Sequence, residues 1–88
     1  VPGPAVAAAL LGHPWVNEAE VVGVPDDEWG QRVVAVLTVS GPVALDELRD
    51  LVEPRSWAPR ALVVVDELPL LPNGKVDRVT LEELAADA

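Results

Sequence analysis

The sequence contains no cysteine, methionine, phenylalanine or tyrosine, and it has a single histidine and a single lysine. Without cysteine the chain has neither a disulfide framework nor a thiolate metal site. The lone histidine, His13, excludes a multi-histidine metal cluster, and we expect no metal site on this chain. The three tryptophans are the only aromatic residues, so the core must be built from valine, leucine and alanine. We expect the tryptophans to serve packing rather than ligand stacking.

Positive charge is also scarce, because six basic residues face 15 acidic ones and the formal net charge is −9. This balance argues against nonspecific binding to nucleic acids or anionic membranes. No apolar run has the length that a bilayer span requires, so no membrane insertion is expected. The first residues lack the features of a signal peptide, which makes the cytoplasm the default location. No methionine precedes Val1, and we expect a piece of a longer protein or a processed product.

The length of 88 residues suggests one small domain with one modest core. The strand predicted at 32–39 is apolar on both faces except at Thr38, which is typical of a central strand covered on both sides. We therefore predict a small α+β domain, with a three-stranded sheet flanked by about three helices. The apolar periodicity places these elements as helices at about 4–12 and 45–52, strands at 19–24, 32–39 and 61–65, and a short C-terminal helix.

Local signals predict where the terminal helices begin and end. Pro4 suits the first turn of a helix, and Gly12 followed by Pro14 should stop it. Residues 15–17 should form a turn. Thr80 and Glu83 have the spacing of a capping box, which predicts that the last helix begins near Thr80.

The only lysine, Lys75, follows Pro72, Asn73 and Gly74 between the third strand and the last helix. Proline fixes one φ angle, while asparagine and glycine tolerate positive φ. The run therefore predicts a tight turn with Lys75 at or just past its tip. A primary amine on a stiff turn can grip an anion, but many surface turns share this composition. On the turn alone, the ordinary surface turn is the better interpretation.

Several segments, taken in order and spacing, resemble the small C-terminal domain of the acyl-adenylate-forming superfamily. This group includes acyl-CoA synthetases, peptide-synthetase adenylation domains and luciferases. The segments are LLGHPWV at 10–16, AEVVGVPD at 19–26, Gly30, VDELP at 65–69, PNGK at 72–75 and Arg78. The sequence departs from the family at Gln31, where glutamate is usual, and at 56–59, where Tyr-Lys-x-Pro is common.

The resemblance implies part of a ligase that uses ATP, Mg²⁺ and CoA. Such an enzyme joins a carboxylate to the α-phosphorus of ATP, releases pyrophosphate and then passes the acyl group to a thiol. Residues 1–88 would form its mobile C-terminal domain. A large N-terminal domain, absent from this chain, would hold most of the nucleotide, the metal and the CoA. The isolated chain is therefore expected to be inactive.

The resemblance also implies roles for five residues. Lys75 would be catalytic, bridging the substrate carboxylate and the α-phosphate. Gly74 and Arg78 would be cofactor-binding residues, and Arg78 would contact a phosphate or seat the final helix against the large domain. A salt bridge from Arg78 to Asp77 or Glu82 is an even alternative. Gly23 and Gly30 would allow close backbone approach of the thiol donor, the alternatives being a strand bulge and a turn.

Within the superfamily, residues 25–35 and 54–60 most resemble the actinobacterial 2-succinylbenzoate–CoA ligases of menaquinone synthesis. Residues 72–78 also resemble the end of peptide-synthetase adenylation domains. Two alternatives therefore remain open. One is a peptide-synthetase fragment that charges a carrier protein, and the other is a freestanding interaction module without a catalytic role.

Overall fold

The computed structural model describes residues 3–28 and 30–87. Within these residues the structure has three α-helices and one three-stranded sheet, which confirms the predicted α+β fold. In chain order the elements are α1 (Gly3–Leu10), β1 (Val16–Asp26), β2 (Gly30–Val39), α2 (Leu45–Arg49), a 3₁₀ turn (Arg55–Trp57), β3 (Ala61–Val64) and α3 (Arg78–Ala86).

The sheet has the order β1-β2-β3, so β2 is the central strand, as its apolar sequence predicts. β1 pairs with β2 antiparallel, and β3 pairs with β2 parallel. A parallel pair needs a crossover connection, which α2 and the 3₁₀ turn supply. Residues 34–38 of β2 are all buried.

Alternate residues of β2 point to opposite faces of the sheet and feed two separate clusters. One cluster joins β2 to α1 and α2, and the other joins it to α3, so the fold has three layers. Members of the first cluster include Val6, Leu10, Ala35, Leu37 and Leu48. Members of the second include Val34, Val36, Leu68, Leu81 and Ala85.

The two described tryptophans pack against the fold, and Trp29 lies outside the described residues. Trp57 packs partly buried against the cluster under α1 and α2. Trp15 is 46% exposed, and its indole lies so close to Gly41 that a Cβ at Gly41 would come within 2.8 Å of the ring. Glycine at position 41 allows this close approach, and a larger residue there would force the indole of Trp15 to shift.

The boundaries of most elements differ from the sequence prediction by a few residues. α2 ends at Arg49 rather than near residue 52, where tighter turn hydrogen bonds replace it. α1 ends at Leu10 rather than near residue 12, because tighter turn hydrogen bonds follow it. β1 begins at Val16, where the sequence predicts a turn. α3 begins at Arg78 rather than near Thr80, because Asp77 is its N-cap. The Asp77 carboxylate accepts hydrogen bonds from the Thr80 N–H at 3.2 Å and from the Thr80 hydroxyl at 2.8 Å.

No helix in the described part of the chain is both long enough and apolar enough to cross a membrane.

Replacing Leu81 with alanine should lower the free energy of unfolding by roughly 2–5 kcal/mol, because the truncation leaves a cavity. Leu81 is fully buried between α3 and the sheet. Val79 on the same helix is 66% exposed, so Val79→Ala is the matched control and should change the free energy by less than about 0.5 kcal/mol. Urea unfolding followed by tryptophan fluorescence measures both. Equal losses in the two variants would contradict the packing of α3.

Candidate functional site

A short hairpin of residues 69–77 connects β3 to α3, and we name it the Lys75 hairpin. At its base the Asp77 N–H donates to the Pro69 carbonyl at 2.9 Å. Leu70 and Val76 then pair in an antiparallel bridge. These contacts hold the two arms of the hairpin together beneath its tip.

The tip consists of Pro72, Asn73 and Gly74. The Gly74 N–H donates to the Leu71 carbonyl at 2.9 Å, and the Leu71 N–H donates to the Lys75 carbonyl at 2.7 Å. Gly74 has a φ of 86°, the left-handed conformation typical of the last position in a three-residue hairpin loop. Lys75 therefore lies just past the tip of a tight turn, as the sequence predicts.

The backbone of Lys75 is fixed on both sides, while its side chain is exposed. Its N–H donates to the side-chain oxygen of Asn73 at 3.0 Å, and its carbonyl is held by Leu71. Across the residues that the structure describes, the ammonium group forms no ion pair. The site therefore offers one positive charge, at a fixed backbone position, to a ligand or partner.

Asp77 ties the hairpin to the first turn of α3. The Thr80 hydroxyl, and after it the Thr80 N–H, donates to the Asp77 carboxylate. These bonds favour the ionised form and hold the pKa of Asp77 below its ordinary value of 3.8. The negative charge also suits the N-terminus of the helix.

Arg78 is the first residue of α3, and its guanidinium reaches across to β1. Nη1 donates to Glu20 Oε2 at 3.2 Å, and Nη2 donates to the Val21 carbonyl at 3.0 Å. The sequence suggests Asp77 or Glu82 as the carboxylate partner, whereas the structure pairs Arg78 with Glu20, 58 residues away. The fold therefore uses part of the hydrogen-bonding capacity of Arg78.

Gly23 lies in a regular stretch of the sheet, opposite Val33. The alternative of a strand bulge at Gly23 is therefore wrong, and the irregularity of β1 falls between Val16 and Glu18. A Cβ at Gly23 would lie 3.1 Å from Gln31 Oε1. Glycine at this position leaves room for the Gln31 amide across the strand pair.

Gly30 follows the turn between β1 and β2 with a φ of 77° and open space around it. Gly30 is the first residue of β2, and its positive φ favours glycine whatever the available space.

Some of the predicted site residues meet in one shallow cavity of about 350 Å³. Gly23 and Arg78 line it, together with Gln31 and the first residues of α1, whereas Lys75, Gly74 and Gly30 do not. The candidate site thus has two parts, the exposed hairpin with its lysine and this cavity along β1.

His13 is buried and serves the fold. Its Nδ1 accepts from the Trp15 N–H at 3.1 Å, and its Nε2 lies 3.6 Å from Glu47 Oε2. The Ala44 N–H donates to the same carboxylate, and this bond is the main cause that lowers the pKa of Glu47. Within the described residues, no group of three or more side chains is arranged to hold a metal ion.

The chain matches the family described as AMP-binding enzyme C-terminal domain over residues 5–75, a range that ends at the hairpin lysine. It is 45% identical over 82 residues to a 4-chlorobenzoate–CoA ligase from Arthrobacter. The match covers 89% of this chain and 16% of that protein. It is equally 45% identical over 82 residues to a probable 2-succinylbenzoate–CoA ligase from Mycobacterium tuberculosis, with coverage of 86% and 21%.

A third relative is triostin synthetase I from Streptomyces triostinicus, 36% identical over 88 residues, with coverage of 94% and 17%. The chain thus spans 16 to 21% of the length of these three relatives.

Solved structures give the same picture. The fold superposes on the amide bond synthetase McbA from Marinactinospora thermotolerans with a TM-score of 0.85 and 34% identity, covering 94% of this chain and 18% of that one. An acyl-CoA synthetase from Brucella canis superposes with a TM-score of 0.83 and 35% identity, covering 99% and 18%.

The variant Asp77→Asn keeps an acceptor oxygen but loses the charge, so at pH 7 it should melt at a lower temperature than the unmodified chain. The pKa of Asp77 is lower in the folded than in the unfolded state. The stabilisation of the fold by the ionised carboxylate is therefore complete above pH 3.8 and is lost as the pH falls through the pKa of the folded state. The difference in Tm between the two proteins should therefore shrink below pH 3.8. Melts between neutral and strongly acidic pH test this, and a constant difference would contradict it.

Proposed function

Because the chain belongs to the AMP-binding enzyme C-terminal domain family, we propose that it is the mobile C-terminal domain of a longer acid–thiol ligase. The proposed enzyme forms an acyl-adenylate from a carboxylate and ATP, and then a thioester with CoA. Two of the relatives are CoA ligases, which supports this reaction class. The chain's own share of the chemistry is the lysine on the hairpin.

The observation that carries the proposal is the exposed ammonium of Lys75 on a backbone fixed at both its N–H and its carbonyl. Adenylation brings a carboxylate up to a phosphate, and the two anions repel each other. A single ammonium between them offsets this repulsion and positions both groups. Lysine suits this role because it is a compact point charge on a long stem.

The described residues fit an anionic ligand better than a metal ion. Lys75 presents an unpaired positive charge, whereas no carboxylate cluster is arranged to hold Mg²⁺ among them. We therefore assign Mg²⁺, the ATP pocket and most of the CoA contacts to a large N-terminal domain. When bound there, ATP supplies the electrophilic phosphorus, and this chain supplies the charge that Lys75 brings to it.

The other site residues have supporting roles in the proposal. Gly74 gives the hairpin its turn and leaves space beside the lysine. Gly23 lines the cavity along β1 and is our candidate for close approach of the thiol donor, with Gly30 nearby in sequence at the exposed turn. Arg78 could reach a phosphate only by competing with its bonds to Glu20 and Val21.

For the acyl substrate we propose 2-succinylbenzoate, which would place the enzyme in menaquinone synthesis in the cytoplasm. The 45% identity to a probable 2-succinylbenzoate–CoA ligase supports this choice. A 4-chlorobenzoate–CoA ligase is equally similar, and both names describe aromatic carboxylates. The reaction class therefore has broader support than the particular acid.

A peptide-synthetase adenylation domain is the second candidate, favoured by the similarity to triostin synthetase I. In that case the acyl group would pass to a carrier protein. The gene separates the candidates, because a carrier domain encoded downstream supports the peptide synthetase. An open reading frame that extends several hundred residues upstream distinguishes either enzyme from a freestanding interaction module.

In the intact parent enzyme, Lys75→Ala should slow adenylation by roughly 10²–10³-fold, the usual cost of losing one preorganised donor. Lys75→Arg should not restore the rate fully, because a planar fork does not replace a point charge. Thioester formation from a supplied acyl-adenylate should remain nearly normal. Pyrophosphate release and thioester formation, measured separately, give the two rates.

Two controls complete this experiment. The thermal melt should barely change, because Lys75 is exposed. The 88-residue chain alone should release no pyrophosphate above a heat-killed control, because the proposal assigns the ATP pocket to the large N-terminal domain. Equal losses in both half-reactions would indicate a docking or folding role, and an unchanged adenylation rate would return Lys75 to an ordinary surface turn.

A further inference from the structure

We propose that Arg78 is a positioning residue that sets the direction in which the hairpin presents Lys75. It does so by clasping the free edge of β1 through Glu20 and Val21. The inference rests on the proposed role of Lys75, but the clasp itself can be tested without that role.

The hairpin is ordered internally, and Val76 near its base packs partly buried against the α3 cluster, whereas its first arm is exposed. Leu70 is 60% exposed and Leu71 is 41% exposed, so few apolar contacts fix the tip against the rest of the domain. Its direction must therefore be set where it joins the fold. One end is anchored by Leu68, which is 8% exposed within the α3 cluster. The other end is the Asp77–Arg78 start of α3.

The backbone carbonyl that Arg78 binds lies on the unpaired edge of β1. The Val33 carbonyl accepts from the Arg60 N–H on the β3 side at 2.8 Å. The backbone N–H and carbonyl groups of successive residues in a strand point alternately to its two neighbouring sides, so those of Ala35, like those of Val33, face β3. Val21 is the antiparallel partner of Ala35 in a pair that exchanges no hydrogen bonds, so the N–H and carbonyl of Val21 point away from β2. Nη2 of Arg78 therefore takes an acceptor that the β1–β2 ladder leaves free.

The position of Arg78 at the start of α3 also supports the proposed clasp. A positive charge at the first residue of a helix opposes the helix dipole, and no acidic residue lies in the first turn of α3. The favourable contacts of Arg78 are to β1, where two guanidinium nitrogens meet two different acceptors. Such a two-point contact fixes the orientation of the planar group as well as its place.

A short series of contacts connects Arg78 to Lys75. It consists of the N-cap at Asp77, the bridge between Val76 and Leu70, and the hydrogen bonds of the Lys75 backbone. Without the clasp, the first turn of α3 and the hairpin arm attached to it can shift against the sheet. A misplacement of about 1 Å can cost about 10²-fold in rate. The Arg78 side chain is 56% exposed, so the same loss should hardly affect overall stability.

The first test uses the 88-residue chain and measures amide hydrogen exchange. In Arg78→Ala the N–H groups of Leu71, Gly74 and Asp77 should exchange about tenfold faster, at an almost unchanged Tm. The matched control is Arg55→Ala, because Arg55 is 61% exposed and forms an ion pair with Asp50 at 2.6 Å. That control should leave exchange in the hairpin unchanged. Unchanged exchange in Arg78→Ala would overturn the clasp itself.

The second test uses the parent enzyme and the two half-reactions. Arg78→Ala should lower the kcat of adenylation by about 10²-fold, with little change in the KM for ATP or in thioester formation from supplied adenylate. Glu20→Ala should cause a smaller loss of the same kind, because the Val21 carbonyl remains. The double variant should be no slower than Arg78→Ala, since both changes break one interaction. Arg78→Lys should not rescue, because one ammonium does not span both acceptors, and Arg55→Ala should be normal.

Other outcomes separate the competing explanations. A raised KM for ATP in Arg78→Ala, with normal adenylation in Glu20→Ala, would overturn the positioning role in favour of direct phosphate contact. Equal losses in both half-reactions would overturn it in favour of a general structural role. If Lys75→Ala leaves adenylation intact, the proposed function fails, and the exchange measurement still decides whether the clasp holds the hairpin.

Discussion

The burial of β2 on both of its faces is the constraint on which the rest of the structure depends. Residues 34–38 are at most 5% exposed, so each face of the sheet must be covered. The chain covers one face with α1 and α2 and the other with α3. Because α3 must lie on its face to bury Leu81 and Ala85, the segment that leads into it has to cross from the end of β3. The Lys75 hairpin is that crossing.

The position of the Lys75 hairpin between β3 and α3 explains why it is both stiff and exposed. The core holds its two ends, through Leu68 on one side and α3 on the other, but it offers nothing for the tip to pack on. The tip must therefore satisfy its own backbone, which it does through its turn and the Asn73 side chain. A self-contained hairpin keeps its shape in water, and it can present the same lysine geometry whether or not another surface covers it.

The sequence predicted much of this because the informative signals are local. The double-sided apolar run marked the central strand, and Pro72, Asn73 and Gly74 marked the turn. The predicted start of α3 was wrong because Asp77 and Thr80 are both good N-cap residues. Asp77 occupies the N-cap position, and Thr80 donates hydrogen bonds to its carboxylate. The pairing of Arg78 with Glu20 had no local signal at all. It depends on β1 lying beside α3, which no periodicity within either segment reveals.

The charge balance of the chain sets the conditions under which its lysine can act. With a net charge of −9, the free domain should repel polyanions at long range, yet this field is screened beyond about 8–10 Å at physiological salt. At contact distance the nearest charge decides, and an ammonium enclosed with its ligand away from water acts far more strongly than one in solvent. The described residues do not provide that enclosure, because the hairpin tip is exposed. A second surface that closes over the hairpin would supply it, and would turn a weak surface charge into a strong and selective one.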